Sequence, residues 1–389
     1  MTNVTILLSP YSLSSRENIT VMTHPIEHPE NDHCYEGLTV NRGIEQPDPV
    51  NPALTERLKH IRKKELSTEE YVSGILKGNI NILSQAITLI ESARADHQTI
   101  AQEVINCCLP STGRSVRVGI TGVPGAGKST FIEAFGKFLT SQGHKLAVLA
   151  IDPSSERSKG SILGDKTRME ELACDPHAYI RPSPSAGSLG GVARKTREAM
   201  LLCEAAGFDI ILIETVGVGQ SETAVHSMVD FFLLLQIAGA GDELQGIKRG
   251  IMEMADGILI NKADGNNIER AELAKAQLQN ALHLFPPHES GVAPQVLPVS
   301  SHEKRGIDTA WDNILSYCSQ TQQNGYFDTR RREQSRYWMY ETINEQLRNH
   351  FYQSQQEHIN TAEQHVLRNE ISSFAAAFQL LENYFKTTE

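Results

Sequence analysis

The chain has few of the features that mark disulfide scaffolds or membrane proteins. The longest unbroken apolar run, Leu146–Ile151, is far too short to cross a bilayer. No basic leader precedes the brief apolar patch near the N-terminus, so we expect a cytoplasmic protein with no membrane partner. The spacing of the cysteines shows no CxxC pair and indicates reduced thiols. They are Cys34, Cys107, Cys108, Cys174, Cys203 and Cys318.

Positive charge is also scarce. The formal net charge is −11, and no dense block of lysine and arginine interrupts the chain. This balance argues against a nucleic-acid partner, because such partners are held through phosphate contacts to a basic surface. The hydrophobic share of 40% is ordinary for a protein that buries a sizeable core.

The N-terminal part of the chain changes character near residue 51. Residues 1–50 are rich in Pro, Asn, His and Ser, which predicts a poorly ordered extension. Residues 51–112 read as a helical region. Within it, apolar residues recur at helical spacing over Leu66–Ile90, with a capping box at Ser67–Glu70, and a second helix is predicted over Gln98–Cys108.

Residues 113–320 alternate short aliphatic runs with helical stretches. This alternation predicts an α/β fold, a doubly wound and mostly parallel sheet covered by helices on both faces. The predicted strands are Val116–Thr121, Leu146–Ile151, Asp209–Ile213, Phe231–Gln236, Gly257–Ile260 and Val296–Val299. Residues 321–389 are polar and helical, over Thr329–Phe351 and Thr361–Phe385. By pattern alone this tail is either a cap on the core or an oligomerisation arm.

A glycine-rich segment between the first strand and a helical stretch matches G-x-x-x-x-G-K-[ST] in the context that a phosphate-binding loop requires. Its backbone N–H groups are expected to surround phosphates at a helix N-terminus. Lys128 is predicted to reach the β- and γ-phosphates and Ser129 to bind Mg²⁺. The predicted phosphate-loop residues are Gly122, Val123, Pro124, Gly125, Ala126, Gly127, Lys128, Ser129 and Thr130.

Asn261, Lys262, Ala263 and Asp264 follow a predicted strand and match the guanine-recognition motif NKxD. An aspartate can accept hydrogen bonds from guanine N1–H and the exocyclic amine, whereas adenine has no matching pair of donors. The motif therefore favours GTP over ATP. Ser300, after the last predicted strand, completes the predicted nucleotide-binding set.

Three acids are candidate metal or water ligands. Glu214 ends an apolar strand and is followed by Gly217, as in a DxxG element with Glu in place of Asp. Asp152 ends another strand, and Asp165 follows it in a polar stretch. A lone aspartate at a strand end is usually a turn residue, but two in one phosphate-loop domain are credible ligands.

The position after Gly217 holds Val218, where Ras-like enzymes carry a water-orienting glutamine. We therefore expect slow intrinsic hydrolysis that a partner or a second loop completes. The glycine-rich, charged segment Gly239–Gly250 is a candidate for that loop, because Lys248 or Arg249 can bring positive charge to the transferred phosphoryl group. Charge logic alone does not choose between the two.

Together these motifs resemble the MeaB/ArgK/MMAA family of GTPases, from about Leu54 to Trp311. The resemblance is carried by Gly122–Thr130, Ile151–Ser155, Ser161–Arg168, Arg181–Ser185, Leu189–Arg197, Glu214–Glu222, Ala240–Gly250 and Asn261–Asp264. It implies a homodimeric GTPase of the SIMIBI class with helical extensions. Such proteins bind a cobalamin-dependent acyl-CoA mutase, gate delivery of adenosylcobalamin and protect the mutase.

The resemblance also implies roles for individual residues. Asp152, Asp165 and Glu214 match the family's Mg²⁺ and switch acids, and Lys248 matches its catalytic lysine. GTP is then the substrate and Mg²⁺ the cofactor, with no tightly bound organic cofactor. The alternatives are an ATPase or kinase linked to lysine/arginine/ornithine transport, a metal-insertion SIMIBI GTPase, and a GTP-dependent switch for an unrelated partner.

Overall fold

Seven short aliphatic segments pair side by side in the computed structural model of the chain. The structure describes residues 66–151, 169–182, 189–215, 221–238 and 249–387. The strands are β1 Val116–Gly122, β2 Leu146–Ile151, β3 Ala178–Arg181, β4 Ile210–Thr215, β5 Phe231–Ile237, β6 Gly257–Asn261 and β7 Gln295–Pro298. They form one sheet in the order β3-β2-β4-β1-β5-β6-β7, and every pairing is parallel. The predicted fold class is confirmed.

The described ranges contain thirteen α-helices, which cover both faces of the sheet and extend beyond it. They are α1 Thr68–Leu76, α2 Ile80–Glu91, α3 Ala95–Cys108, α4 Lys128–Ser141, α5 Glu170–Ala173, α6 Leu189–Ala205, α7 Ser221–His226, α8 Arg249–Met254, α9 Ile268–Leu282, α10 Ile307–Gln323, α11 Tyr326–Ser354, α12 Gln356–Leu367 and α13 Ser373–Thr387. None of the helices in these ranges combines the length and apolar character needed to span a membrane.

Two of the predicted helical stretches are divided. The stretch Leu66–Ile90 breaks at Gly78, whose φ of 72° ends α1 and starts a turn into α2. The stretch Thr361–Phe385 breaks near Asn369, which has a φ of 56°. Left-handed backbone cannot continue an α-helix, so each stretch forms two helices. The helical spacing of apolar residues continues across both breaks and therefore does not reveal them. The capping box of Ser67 and Glu70 is confirmed.

Helices α1–α3 pack against the side of the sheet that contains β3, β2 and β4. Ile87 and Val104 share one buried core with Val192 of α6 and Ile211 of β4. Lys195 also donates from α6 to the carbonyl at the end of α2 at 2.9 Å. These contacts bring α1–α3 and the sheet together, while the predicted extension at 1–50 lies outside the described residues.

The strand order decides where a ligand can bind. β1 lies in the middle, with β4 on one side and β5 on the other. In a doubly wound sheet the connections from neighbouring strands near the middle run to opposite faces of the sheet. This leaves a crevice at the carboxyl ends of those strands, where ligands bind. The loop from Gly122 to Lys128 lies at this point.

Candidate nucleotide-binding site

The phosphate-binding loop connects β1 to α4. Gly127 has a φ of 86° and caps α4, and a Cβ built on it lies 2.8 Å from Nδ2 of Asn261. At the other end, a Cβ on Gly122 would overlap the carbonyl oxygen of Leu235. Both glycines therefore allow backbone contacts that a side chain would prevent. The result is a tight loop with the N-terminus of a 14-residue helix directly behind it.

Lys128 is held by its own loop. Its Nζ donates to the carbonyl of Gly122 at 2.8 Å. Burial lowers the pKa of Lys128, and the charges of Glu214 and Glu222 oppose that shift. The ammonium thus lies at the mouth of the loop with two carboxylates near it, and it is available to an anion such as a phosphate.

The predicted metal ligands that the structure describes converge. Oγ of Ser129 donates to Oε1 of Glu214 at 3.3 Å. A hydroxyl and a carboxylate oxygen at this separation are hard oxygen donors of the kind that Mg²⁺ prefers next to phosphates. Behind them, the buried hydroxyls of Thr215 and Thr121 are 3.0 Å apart. Ser129 and Glu214 therefore fit the Mg²⁺ ion that a phosphate-loop enzyme requires.

The guanine-recognition segment is joined directly to the phosphate loop. Nδ2 of the buried Asn261 donates to the carbonyl of Ala126 at 2.9 Å. Its Oδ1 accepts from the N–H and the hydroxyl of Ser301, at 3.2 and 2.8 Å. These bonds orient the amide, so base recognition and phosphate binding occur on one rigid frame. The sequence analysis did not identify Ser301, although its position directly after Ser300 is a usable signal.

Asp264 has a fixed carboxylate. The hydroxyl of the fully buried Ser300 donates to its Oδ2 at 2.6 Å. The N–H of Ala263 donates to the carbonyl of Val299 at 3.0 Å, which anchors the same loop beside the end of β7. Lys262, in contrast, is exposed with a φ of 60°. The arrangement holds the carboxylate ready for a base with two donors.

The structure therefore brings together the predicted phosphate loop, the predicted Mg²⁺ ligands Ser129 and Glu214, the predicted guanine-recognition residues and Ser300. The remaining predicted site residues lie outside the described ranges. They are Asp152, Asp165, Gly217 and Lys248.

Comparisons with known proteins show which family the chain belongs to. A family model described as methylmalonyl Co-A mutase-associated GTPase MeaB matches residues 83–356. A putative GTPase of Caulobacter vibrioides is 54% identical over 277 residues, 71% of this chain and 85% of the relative. The GTPase ArgK of Escherichia coli is 47% identical over 288 residues, 74% of this chain and 87% of the relative.

Two further relatives extend the comparison. The mouse protein described as methylmalonic aciduria type A homolog, mitochondrial, is 44% identical over 365 residues, 90% of this chain and 88% of that protein. A crystal structure described as a LAO/AO transport system kinase superposes with a TM-score of 0.64 at 38% identity, covering 82% of this chain and 97% of the other. The match spans both nucleotide loops, and the chain is a GTP-hydrolysing member of the MeaB family of P-loop GTPases.

Proposed function

We propose that this GTPase is a chaperone and gatekeeper for a cobalamin-dependent acyl-CoA mutase of the methylmalonyl-CoA mutase type. In this role GTP hydrolysis is coupled to loading of adenosylcobalamin and to protection of the mutase. The observation that carries the proposal is the family match over residues 83–356, whose description names the mutase. The mouse relative, named for methylmalonic aciduria, supports the same client.

The geometry supports a division of labour during hydrolysis. Asp264 holds the base, Lys128 and the loop N–H groups hold the phosphates, and water attacks the γ-phosphate in line. Mg²⁺, when bound, supplies charge neutralisation at the β- and γ-phosphates. Ser129 and Glu214 would hold it, and we propose Asp152 and Asp165 as further ligands. Gly217 and Lys248 are proposed to contact the γ-phosphate region and the transferred phosphoryl group.

The proposal is tested by measuring phosphate release from GTP and from ATP, each with and without the acyl-CoA mutase. GTP-selective turnover that rises when the mutase is added is the expected result. A rate of GTP hydrolysis that does not change when the mutase is added would contradict the proposed client but would still agree with GTPase activity. The mutase without this protein is the control for background phosphate.

A second candidate is a kinase or ATPase linked to transport of basic amino acids, because the crystal structure at a TM-score of 0.64 carries the description of a LAO/AO transport system kinase. The Asp264–Ser300 pair disfavours this candidate. ATP would leave the carboxylate facing a base without the donors it needs. A higher kcat/KM for ATP than for GTP in the same assay would favour the kinase.

We also propose that the protein is a homodimer formed through its C-terminal helices. On α13, apolar residues recur along one face, and Phe374 and Phe378 are 78% and 73% exposed. Leu367 at the end of α12 is 75% exposed. Exposed apolar side chains in such a series are typical of a surface that another chain covers.

A further inference from the structure

The long helix α11 holds the turn between α7 and β5. Nε2 of Gln334 donates to the carbonyl of Val229 at 2.8 Å, and Nε1 of Trp338 donates to the carbonyl of Ser227 at 3.0 Å. Both side chains are buried. One turn earlier on α11, Arg331 binds the carboxylate of Asp230 at 2.6 and 2.8 Å. Three successive turns of one helix thus fix one short segment of backbone.

The same segment lies directly against the strand that leads into the phosphate loop. A Cβ built on Gly119 of β1 lies 2.7 Å from Cγ1 of Val225 and 3.1 Å from Cγ2 of Val229. Val225 and Val229 are fully buried. Because no space separates α7 from β1, a displacement of α7 has to be matched by β1 and the loop that follows it.

The other end of α7 reaches the phosphate site. Glu222, in its first turn, is 2% exposed. Its carboxylate is close enough to Lys128 for the two charges to interact. The position of α7 therefore sets part of the electrostatic environment of the lysine that contacts the phosphates.

We propose that Gln334 and Trp338 are positioning residues for GTP hydrolysis. By holding the backbone at Val229 and Ser227 they fix where α7 lies against β1, and thereby the position of the phosphate loop that follows β1. The packing of α11 on this segment and the nucleotide state of the site are then energetically coupled. The proposal rests on the GTPase activity of the family and is independent of the mutase client.

The first experiment compares Gln334→Leu with Gln346→Leu in the full-length chain. Gln346 lies on the same helix but is exposed, so it controls for loss of an amide on α11. We expect kcat for GTP to fall about threefold to tenfold in Gln334→Leu, the equivalent of one lost hydrogen bond, with KM changed less than about twofold. Bound nucleotide per chain is measured alongside, so that a loss of folded protein is not mistaken for a loss of kcat.

The second experiment uses Trp338 as a reporter. The chain has two tryptophans, and Trp311→Phe leaves Trp338 as the single one. We expect its emission to differ between the GDP form and the form with a non-hydrolysable GTP analogue, and Gln334→Leu in this background to reduce the difference. Equal emission in the two forms overturns the proposal. So does a kcat of Gln334→Leu equal to that of Gln346→Leu.

Discussion

At the residue scale, Asn261 connects the two halves of the nucleotide site. Its amide bonds the carbonyl of Ala126 in the phosphate loop and is oriented by Ser301. Gly127 leaves the space in which that amide lies. A change at any of these positions is expected to affect base and phosphate binding together, because the two halves share one set of hydrogen bonds.

Gly127→Ala should abolish this connection. The new Cβ would meet Nδ2 of Asn261 at 2.8 Å in addition to the strain of a φ of 86°. Gly143→Ala is the matched control, since Gly143 has a φ of 91° but no atom within 4 Å of its Cβ position. Both variants should lose about 1–2 kcal/mol of unfolding free energy from backbone strain. Only Gly127→Ala should lose more than about tenfold in GTP affinity, and equal affinities would contradict this account.

Asp264→Asn tests base recognition. The amide cannot accept both guanine donors, so GTP affinity should fall by at least about tenfold. Xanthosine triphosphate has a carbonyl where guanine has its amine, and its affinity should rise in the same variant. Ser300→Ala removes the bond to Oδ2 and should weaken GTP binding less, by about threefold to tenfold. Unchanged GTP affinity in Asp264→Asn, measured by titration calorimetry, would reject the guanine assignment.

Lys248→Ala tests the proposed catalytic lysine. We expect near-normal GTP binding and loss of the mutase-stimulated rate, by about 10²- to 10³-fold, because a cation at the transferred phosphoryl group stabilises charge mainly in the transition state. Arg249→Ala is the neighbouring control that removes the same charge. Single-turnover phosphate release with the mutase present distinguishes them. A stimulated rate retained in Lys248→Ala would remove this residue from catalysis.

At the scale of elements, α7 carries a half-buried histidine next to charged neighbours. His226 packs edge-on to Phe232 with ring centroids 5.6 Å apart. Burial, and then the charge of Arg330, lower the pKa of His226 to about 4, although Asp256 opposes the shift. The imidazole is therefore neutral in the folded protein at pH 7.

The depressed pKa predicts a pH dependence of stability. The unfolded chain protonates His226 near pH 6.5 and the folded chain only near pH 4. Its contribution is therefore fully present above about pH 6.5 and is lost as the pH falls towards about 4. His226→Phe should flatten the profile between pH 7 and pH 5 by about 2 kcal/mol. Urea unfolding at pH 7 and pH 5 measures it, and parallel profiles for the two proteins would exclude His226 as the cause.

At the scale of the whole molecule, the proposed dimer surface is the apolar face of α13 with its neighbours. The double variant Phe374→Glu and Phe378→Glu should dissociate the dimer, because two charges would be buried in an apolar interface. Leu284→Glu is the control, since Leu284 is 82% exposed in the turn after α9 and is not part of the proposed surface. Sedimentation equilibrium reads the mass directly. A variant that keeps the mass of the parent, or a parent that is monomeric, would remove this surface from assembly.

The local parts of this protein could be predicted from sequence. The phosphate loop, the capping box at Ser67 and six of the strands depend on nearby residues, whose backbone preferences and periodicity are visible in a short window. The break at Gly78 was missed because the apolar period continues across it. β3, Ala178–Arg181, was missed because a strand of four residues at the sheet edge is defined by pairing with β2 rather than by its own pattern.

By itself, the sequence determined the chemistry of the site, because the residue types that bind phosphate and guanine occur at spacings that local structure imposes. Only the tertiary structure decided which distant parts meet. Asn261 bonds Ala126 across 135 positions, and Gln334 bonds Val229 across 105. Such pairs leave no periodic signal, because they depend on where the sheet and α11 place two backbones that are independent in sequence.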